Sequence, residues 1–466
     1  MGLGMSPEAP PVPPAPGGRA PSFGAPLPPE KAAFRFGGSI FAWEAVGIGR
    51  EPEITDGQDP DTVLHVPALV QGRQPFWPQT GARLFLQYGT GMVTGTVTVN
   101  FGAPGRERRN FFQAVNGFSL GQAYLTLTPP ALGKLHLAFR VGAFTENFAG
   151  PGLWGWGIFG PMIAIRGYGE STFADYDLTR ELRLQFEHGV LAVPGVPEEF
   201  PRGNYTGWTE TGVSTFVHHA HAGFTYKNQY TFRLHWARAD GTDERRYLVP
   251  EARDGHMDAY VAEGRVLALP YGQLGVSGAF WNFDGARAVH DGIWWGVDWT
   301  KGAQDFMRNY LGPAAIDPNG QGDGQVAAIS AQYDVSLAQL AWHPRPFDGR
   351  APDIRVAVAG VHHWTLDTED ERLEGASGYL LGAEVHYQAL RWFGATVRSY
   401  GESRMSALGR WQVYSVSPGL VFRSDWQSTD RIEIIYTRRF YNDVADNNPA
   451  QPLDRDIVSL GAYVDF

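Results

Sequence analysis

Apolar and polar residues alternate with a period of two in many short segments of this chain. Leu182, Leu184 and Phe186 share one face of a segment whose other face is polar, and 133–143, 228–238 and 377–389 repeat the pattern. Successive side chains of a β-strand point to opposite faces, so the pattern predicts strands that are apolar on one side and hydrated on the other. We find no convincing helical period from residue 33 to residue 466.

The pattern predicts eighteen strands, or sixteen if one hairpin is misread. The connections after even-numbered strands are short, whereas those after odd-numbered strands are mostly long, which is typical of transmembrane β-barrels. Residues 33–466 are therefore predicted to form one all-β, antiparallel, up-and-down barrel. Its strands are expected near 34–47, 80–90, 93–103, 118–128, 133–146, 162–175, 180–190, 211–225, 228–238, 270–282, 291–300, 324–343, 354–364, 377–389, 391–402, 410–423, 430–440 and 456–466.

Composition agrees with a barrel. Only 19% of the residues are charged, against roughly 25% in ordinary soluble domains. The absence of cysteine excludes disulfides and thiolate chemistry. The net charge of -11 argues against a nucleic-acid partner. Residues 1–32 are Pro-rich and predict a disordered lead-in; because a barrel needs export, we expect a signal peptide that was removed or that lies upstream of Met1.

Two segments resemble outer-membrane porins. The final segment alternates through Val458, Leu460, Ala462 and Val464 and stops on Phe466, as the last porin strand does, where the terminal aromatic residue is read as an assembly signal. Residues 121–161 are similar to the porin hairpin that leads into the third external loop. The resemblance implies that this loop folds into the barrel and narrows a water-filled pore in the bacterial outer membrane.

The resemblance also implies passive diffusion of small hydrophilic solutes, with no enzymatic activity and no cofactor. Outer-membrane lipid surrounds such a barrel, and large general porins are commonly homotrimers, so a homotrimer is one expected assembly. The loop 147–161 carries Trp154, Trp156 and Phe159 where many porins carry acidic residues. Aromatic faces at a constriction would stack on sugar rings; the simpler interpretation is that they pack the loop against the wall.

Charged residues on the polar faces are the candidate pore lining. Facing rows of opposite charge would create a transverse field that orients passing solutes, although each residue taken singly is expected to pair across strands. The candidates are Arg140, Arg166, Glu170, Glu181, Arg183, Glu187, Arg233, Arg355, Glu384 and Arg398.

Other functions remain open at this point. His219 and His221 share one strand face, but no third or fourth metal ligand is identifiable, so no metal site is predicted. With a nearby hydroxyl such as Ser214 they are the one hint of an outer-membrane hydrolase. A barrel that exports a polysaccharide is the other alternative, and the mixed charges predicted for the interior count mildly against it.

Overall fold

The computed structural model confirms an all-β molecule. It describes residues 33–48, 76–102, 118–148, 163–194, 213–241, 256–267, 271–284, 324–341, 353–368, 377–406, 409–424, 430–443 and 455–465. These residues form the strands β1 (Ala33–Ile48), β2 (Phe76–Thr90), β3 (Val93–Gly102), β4 (Phe118–Leu127), β5 (Leu135–Phe148), β6 (Ile163–Asp177), β7 (Leu182–Pro194), β8 (Val213–Tyr226), β9 (Tyr230–Gly241), β10 (His256–Leu267), β11 (Gln273–Asp284), β12 (Gly324–Ser336), β13 (Asp353–Thr368), β14 (Ser377–Leu390), β15 (Phe393–Ser406), β16 (Gly409–Arg423), β17 (Arg431–Asp443) and β18 (Arg455–Asp465).

The strands form one closed sheet. Each strand pairs antiparallel with its neighbours in sequence, and β1 pairs with β18 through a register that runs from Ser39↔Asp465 to Ile48↔Asp456. Closure leaves every described strand paired on both sides, which is the condition that lets a β-sheet cross a bilayer, because lipid cannot satisfy free backbone N–H and C=O groups. The predicted antiparallel barrel is confirmed.

The two faces of the wall differ as the alternation predicts. In β18, Val458, Leu460 and Val464 are exposed on the outside of the barrel, whereas Ser459 between them is buried. The same division follows the register around the ring: Val385 and Val397 are directly opposite on the outer face, and their neighbours Glu384 and Arg398 are directly opposite on the inner face. Large apolar side chains thus cover the outside and polar side chains line the inside.

Most of the short connections lie on one rim. Between β8 and β9, Lys227 and Asn228 both have positive φ values, 53° and 54°. This is the geometry of a type I′ hairpin turn, whose twist matches that of the flanking strands. Most of the longer connections join strands at the opposite rim, although Ser406 and Gly409 pair directly there. In outer-membrane barrels the rim with the short turns faces the periplasm.

One strand of the structure is missing from the prediction. The strand β10 (His256–Leu267) lies in a stretch predicted to be a loop, and the predicted strand 291–300 lies outside the described residues. The described segments form an eighteen-stranded sheet, not one of sixteen, but that number includes β10 and omits 291–300. In β10 both faces carry apolar and charged residues, so the two-residue period that would have revealed the strand is absent.

The strand predicted over 324–343 is also too long. β12 ends at Ser336, and a short helix, α1 (Leu337–Ala341), follows. The Asp353 carboxylate accepts hydrogen bonds from the Ser336 hydroxyl at 2.8 Å and from the Ala338 amide at 2.9 Å. Asp353 is the first residue of β13, and its carboxylate accepts a hydrogen bond from an amide of the first turn of α1 that has no partner within the helix. This contact stabilises the helix, so the strand β12 stops at Ser336.

Within the described ranges no helix is long and apolar enough to cross a membrane. Residues 1–32 are not among the described residues.

Candidate functional site: the inner wall of the barrel

Charged side chains line the inner wall from β6 to β17, in the half of the barrel nearest the short turns. We call this set the charged belt. Its members lie on the inner face because each alternates along its strand with outward-facing residues. The charged belt comprises Asp175, Asp177, Arg183, Arg233, Glu263, Asp334, Arg355, Glu384, Arg398, Arg431 and Glu433.

The β6–β7 part of the belt lies beside the turn that joins these strands. The Arg183 guanidinium donates to the Asp177 carboxylate at 2.8 Å and lies 3.7 Å from Asp175. His136 on β5 contacts the same Asp177 carboxylate at 3.0 Å. The Arg183 side chain is 28% exposed and the Asp177 side chain 33% exposed, so this pair is partly open to the interior.

The β9–β10 part joins an arginine to a carboxylate on the strand that sequence analysis missed. Arg233 donates to Glu263 at 3.3 Å and to Gln185 at 3.4 Å. His235 lies 3.4 Å from the same Glu263. The Glu263 carboxylate therefore contacts two basic side chains. Arg233 is 34% exposed, so its guanidinium is the part of this group that faces the interior of the barrel.

The β12–β17 part contains a chain of alternating charges. Arg355 donates to Asp334 from Nε to Oδ1 at 3.0 Å and from Nη2 to Oδ2 at 2.5 Å, which is a bidentate pair. Arg398 bridges Glu384, at 2.9 Å, and Glu433, at 3.4 Å, and Glu433 in turn contacts Arg431 at 2.6 Å. Arg355 is 56% exposed and Arg398 only 13%. Arg355 is thus the most accessible cation of this part.

A second inner group is almost sealed. Arg140 pairs with Glu146 and lies 3.6 Å from Glu187, and these three side chains are at most 6% exposed. The Arg140 guanidinium lies over the rings of Phe144 and Phe173, 4.3 Å and 4.7 Å from their centroids. A cation enclosed by aromatic rings and two carboxylates links neighbouring strands of the wall, so its role is structural. It is too buried to contact a passing solute.

Seven of the ten candidate lining residues lie on the inner face. They are Arg140, Arg183, Glu187, Arg233, Arg355, Glu384 and Arg398. Arg166 lies in β6, but its side chain is not among those described. The aromatic residues Trp154, Trp156 and Phe159 and the terminal Phe466 also lie outside the described residues, and so does the inward fold predicted for the third external loop.

The inward prediction for Glu170 is wrong. Its neighbour Ser171 is opposite Arg140 on the inner face, whereas Glu170 is opposite Val141, which is 55% exposed on the outer face. Because polar and aromatic residues occur on both faces of β6, its sequence does not reveal which side is wet. Glu181 is not in the wall either: it lies in the turn before β7, is 57% exposed and faces Lys227 at 3.7 Å.

The two histidines of β8 both point inward, as their spacing predicts. His221 lies 3.1 Å from the Glu187 carboxylate, and His219, fully buried, lies 3.4 Å from the Ser171 hydroxyl. Ser214 lies in β8, but its side chain is not described. Among the described residues, no group of three or more histidines and carboxylates has the arrangement of a metal site.

Sequence reasoning missed about half of the charged belt. Glu433 lies between Ile432 and Ile434 on β17, so the alternation that identified the strand also identifies Glu433 as inward-facing. Glu263 had no such signal because its strand lacks alternation. Asp175, Asp177, Asp334 and Arg431 lie near strand ends, where a predicted boundary shifts by a few residues.

A closed antiparallel barrel with an apolar outside and a charged inside has the architecture of an outer-membrane β-barrel. Barrels of sixteen to eighteen strands are wide enough to leave an aqueous channel. Solved structures similar to this chain include the outer membrane channel DcaP of Acinetobacter baumannii, at 11% sequence identity over 93% of this chain and 97% of that chain, with a TM-score of 0.49.

OpdQ of Pseudomonas aeruginosa is 8% identical over 93% of this chain and 97% of that chain, with a TM-score of 0.42. A BenF-like porin of Pseudomonas fluorescens is also 8% identical, over 94% of this chain and 99% of that chain, with a TM-score of 0.44. No protein-family model and no curated protein matches the sequence. The assignment to the class therefore depends on the barrel itself.

Proposed function

We propose that this protein is a porin through which small hydrophilic solutes diffuse across the outer membrane. The observation that carries the proposal is the charged belt. Burying this many fixed charges in a dry core costs free energy, whereas around a water-filled passage they stay hydrated and can act on solutes. Passive diffusion through such a passage needs no catalysis, no cofactor and no energy source.

The belt would act by orienting solutes and not by excluding one sign of charge. Its cations and carboxylates are paired across strands, as in Arg355–Asp334 and Arg398–Glu384. Such a lining gives a transverse field with little net charge, so we expect weak ion selectivity. Guanidinium groups and carboxylates also offer donors and acceptors to hydroxylated solutes, which supports sugars as candidates. A sugar preference set by Trp154, Trp156 and Phe159 stays a prediction.

Conductance in a planar bilayer tests this proposal. The folded full-length chain should give stable single-channel steps, a reversal potential near zero in a KCl gradient, and a concentration-dependent decrease of current on addition of permeant sugars. Folded protein that inserts and never conducts would contradict the proposal. Strong anion selectivity or strong cation selectivity would contradict the orienting role of the belt while leaving the channel intact.

The two alternative functions have less support. A polysaccharide exporter would favour an interior of one charge sign, whereas the belt is mixed. A hydrolase needs a hydroxyl that substrate can reach. Among the described side chains, Ser171 places its hydroxyl 3.4 Å from His219, and both residues are at most 1% exposed. An ester-hydrolysis assay with the folded protein should therefore give no turnover above background.

A further inference from the structure

Two histidines lie between the sealed group around Arg140 and the charged belt. His221 on β8 and His235 on β9 are directly opposite in the strand register, and their rings meet edge to face with centroids 5.3 Å apart. A carboxylate flanks each of them: Glu187 lies 3.1 Å from His221, and Glu263 lies 3.4 Å from His235. We call Glu187, His221, His235 and Glu263 the histidine row.

An arginine lies at each end of the histidine row. Glu187 is 3.6 Å from Arg140, and Glu263 is 3.3 Å from Arg233. With both imidazoles neutral, the two carboxylates of the row balance these two guanidinium groups. Further charged or titratable side chains on the inner faces nearby are Glu146 on β5, Asp175 and Asp177 on β6, Arg183 on β7, His219 on β8 and Arg265 on β10.

The histidine row is partly open to the interior of the barrel. The side chains of His221 and Glu263 are each 15% exposed. Water in the interior reaches the row at these two residues, so protons reach it as well. An imidazole ordinarily changes its charge at about pH 6.5. Each imidazole of the row has a carboxylate beside it that can pair with an added positive charge.

We propose that the histidine row makes the ion selectivity of the pore depend on pH. This dependence rests on the proposed function, since only a conducting pore has an ion selectivity. Between about pH 8 and about pH 5 the two imidazoles gain up to two positive charges, whereas arginines and carboxylates ordinarily keep their charges over this range. The row then changes from balanced to positive, so the pore should favour anions more strongly in acid.

The size of the change follows from the distance between the row and the passing ions. A unit charge roughly 10 Å from the ion path changes the ratio of cation to anion permeability by about 1.7-fold at about 0.1 M salt. Two added charges should therefore lower this ratio by about threefold, and one added charge by about 1.7-fold. At about 1 M salt, where the Debye length is about 3 Å, the change should disappear.

Reversal potentials in a KCl gradient measure this ratio. For the full-length protein in a planar bilayer at about 0.1 M salt, the ratio of cation to anion permeability should fall by about threefold between about pH 8 and about pH 5. His221→Gln/His235→Gln should remove this decrease, because glutamine keeps a hydrogen-bonding group at each position and takes up no proton. Each single variant should retain a decrease of about 1.7-fold, and these variants carry the test if the double variant does not fold.

His218→Gln is the matched control. His218 lies on the same strand as His221, but it alternates with the inward-facing His219 and therefore faces outward. The control should keep the full decrease of the wild type. All variants should have the single-channel conductance of the wild type at about pH 8, where histidine is ordinarily neutral, which shows that the barrel is folded.

Hydrogen–deuterium exchange at the imidazole C2 position follows the protonation of each histidine without any ion flow. Read by mass spectrometry, it should show that His221 and His235 take up protons between about pH 8 and about pH 5. Imidazoles that both stay neutral over this range would overturn the proposal. A conducting pore whose decrease survives in His221→Gln/His235→Gln would also overturn it and would leave the proposed function intact. Folded protein that never conducts would contradict the proposed function itself and, with it, the pH dependence of the selectivity.

Discussion

The Asp334–Arg355 pair makes the role of the charged belt measurable, because either charge can be removed at the same place in the wall. Arg355→Gln leaves a carboxylate and Asp334→Asn leaves a guanidinium, with little change of shape. The side chains are 56% and 12% exposed, respectively. If the belt faces the permeation path, the two variants should shift ion selectivity in opposite directions, toward cations for Arg355→Gln and toward anions for Asp334→Asn.

The expected size follows from Coulomb's law. A unit charge acts on an ion roughly 10 Å away in water with about 0.4 kcal/mol, and screening at about 0.1 M salt reduces this to about 0.15 kcal/mol. The cation and the anion shift in opposite senses, so the ratio of their permeabilities should change by about 1.7-fold per variant. At about 1 M salt the Debye length is about 3 Å and the shift should disappear.

Reversal potentials in KCl gradients at low and high salt measure these shifts. The double variant Arg355→Gln/Asp334→Asn should return to the wild-type value. Arg438→Gln is the control, since Arg438 carries the same charge on the outer face of β17, and it should not change selectivity. Shifts of the same sign for both single variants, or none at low salt, would refute the placement of the pair beside the ion path.

Three further predictions concern the wall itself. Arg140→Gln should lower the free energy of unfolding by about 3–5 kcal/mol, because it leaves two buried carboxylates without their cation, and it should leave ion selectivity nearly unchanged. Urea unfolding followed by tryptophan fluorescence measures the stability, and a reversal potential measures the selectivity. A variant as stable as the wild type would contradict the proposed structural role of Arg140. Gly189→Ala should cost about 1–3 kcal/mol, because a Cβ there meets the His219 ring and the Ser171 hydroxyl, whereas Gly264→Ala, with open space around its Cβ, should be tolerated in the same unfolding assay. Asp353→Ala should cost about 1–2 kcal/mol through the lost cap of α1, and a similar loss in Asp353→Asn would argue against a specific role for the carboxylate.

The strands that sequence analysis located well are those whose two faces differ sharply. β14 and β18 alternate cleanly, and their observed bounds lie within one residue of the predicted ones at each end. The strand β10 escaped prediction because Ala259 and Val261 are buried on its inner face while Asp258 is on its outer face. Where apolar and charged residues occur on both faces of a strand, the period of two no longer records which side meets water.

The pairing of charges could not be predicted from the sequence. Arg398 and Glu433 are 35 positions apart and Arg233 and Glu263 are 30 apart, and each pair meets only because the register of the intervening strands is fixed. A shift of one residue in that register would move one partner to the opposite face. Individual inward residues are therefore predictable, whereas the bidentate and bridging geometry of the belt is a property of the folded ring.

The junction between β1 and β18 has a kinetic consequence. The strands β1 and β18 pair to close the ring, and the residues that they join are more than four hundred positions apart in the sequence. β1 therefore cannot complete its pairing until β18 is in place. Contacts this distant in sequence form slowly, since a long loop has to be ordered before they give any stabilisation. Until then the folding sheet has two free edges whose unpaired backbone groups can pair with strands of other chains. A chain truncated before residue 455 would keep both free edges permanently.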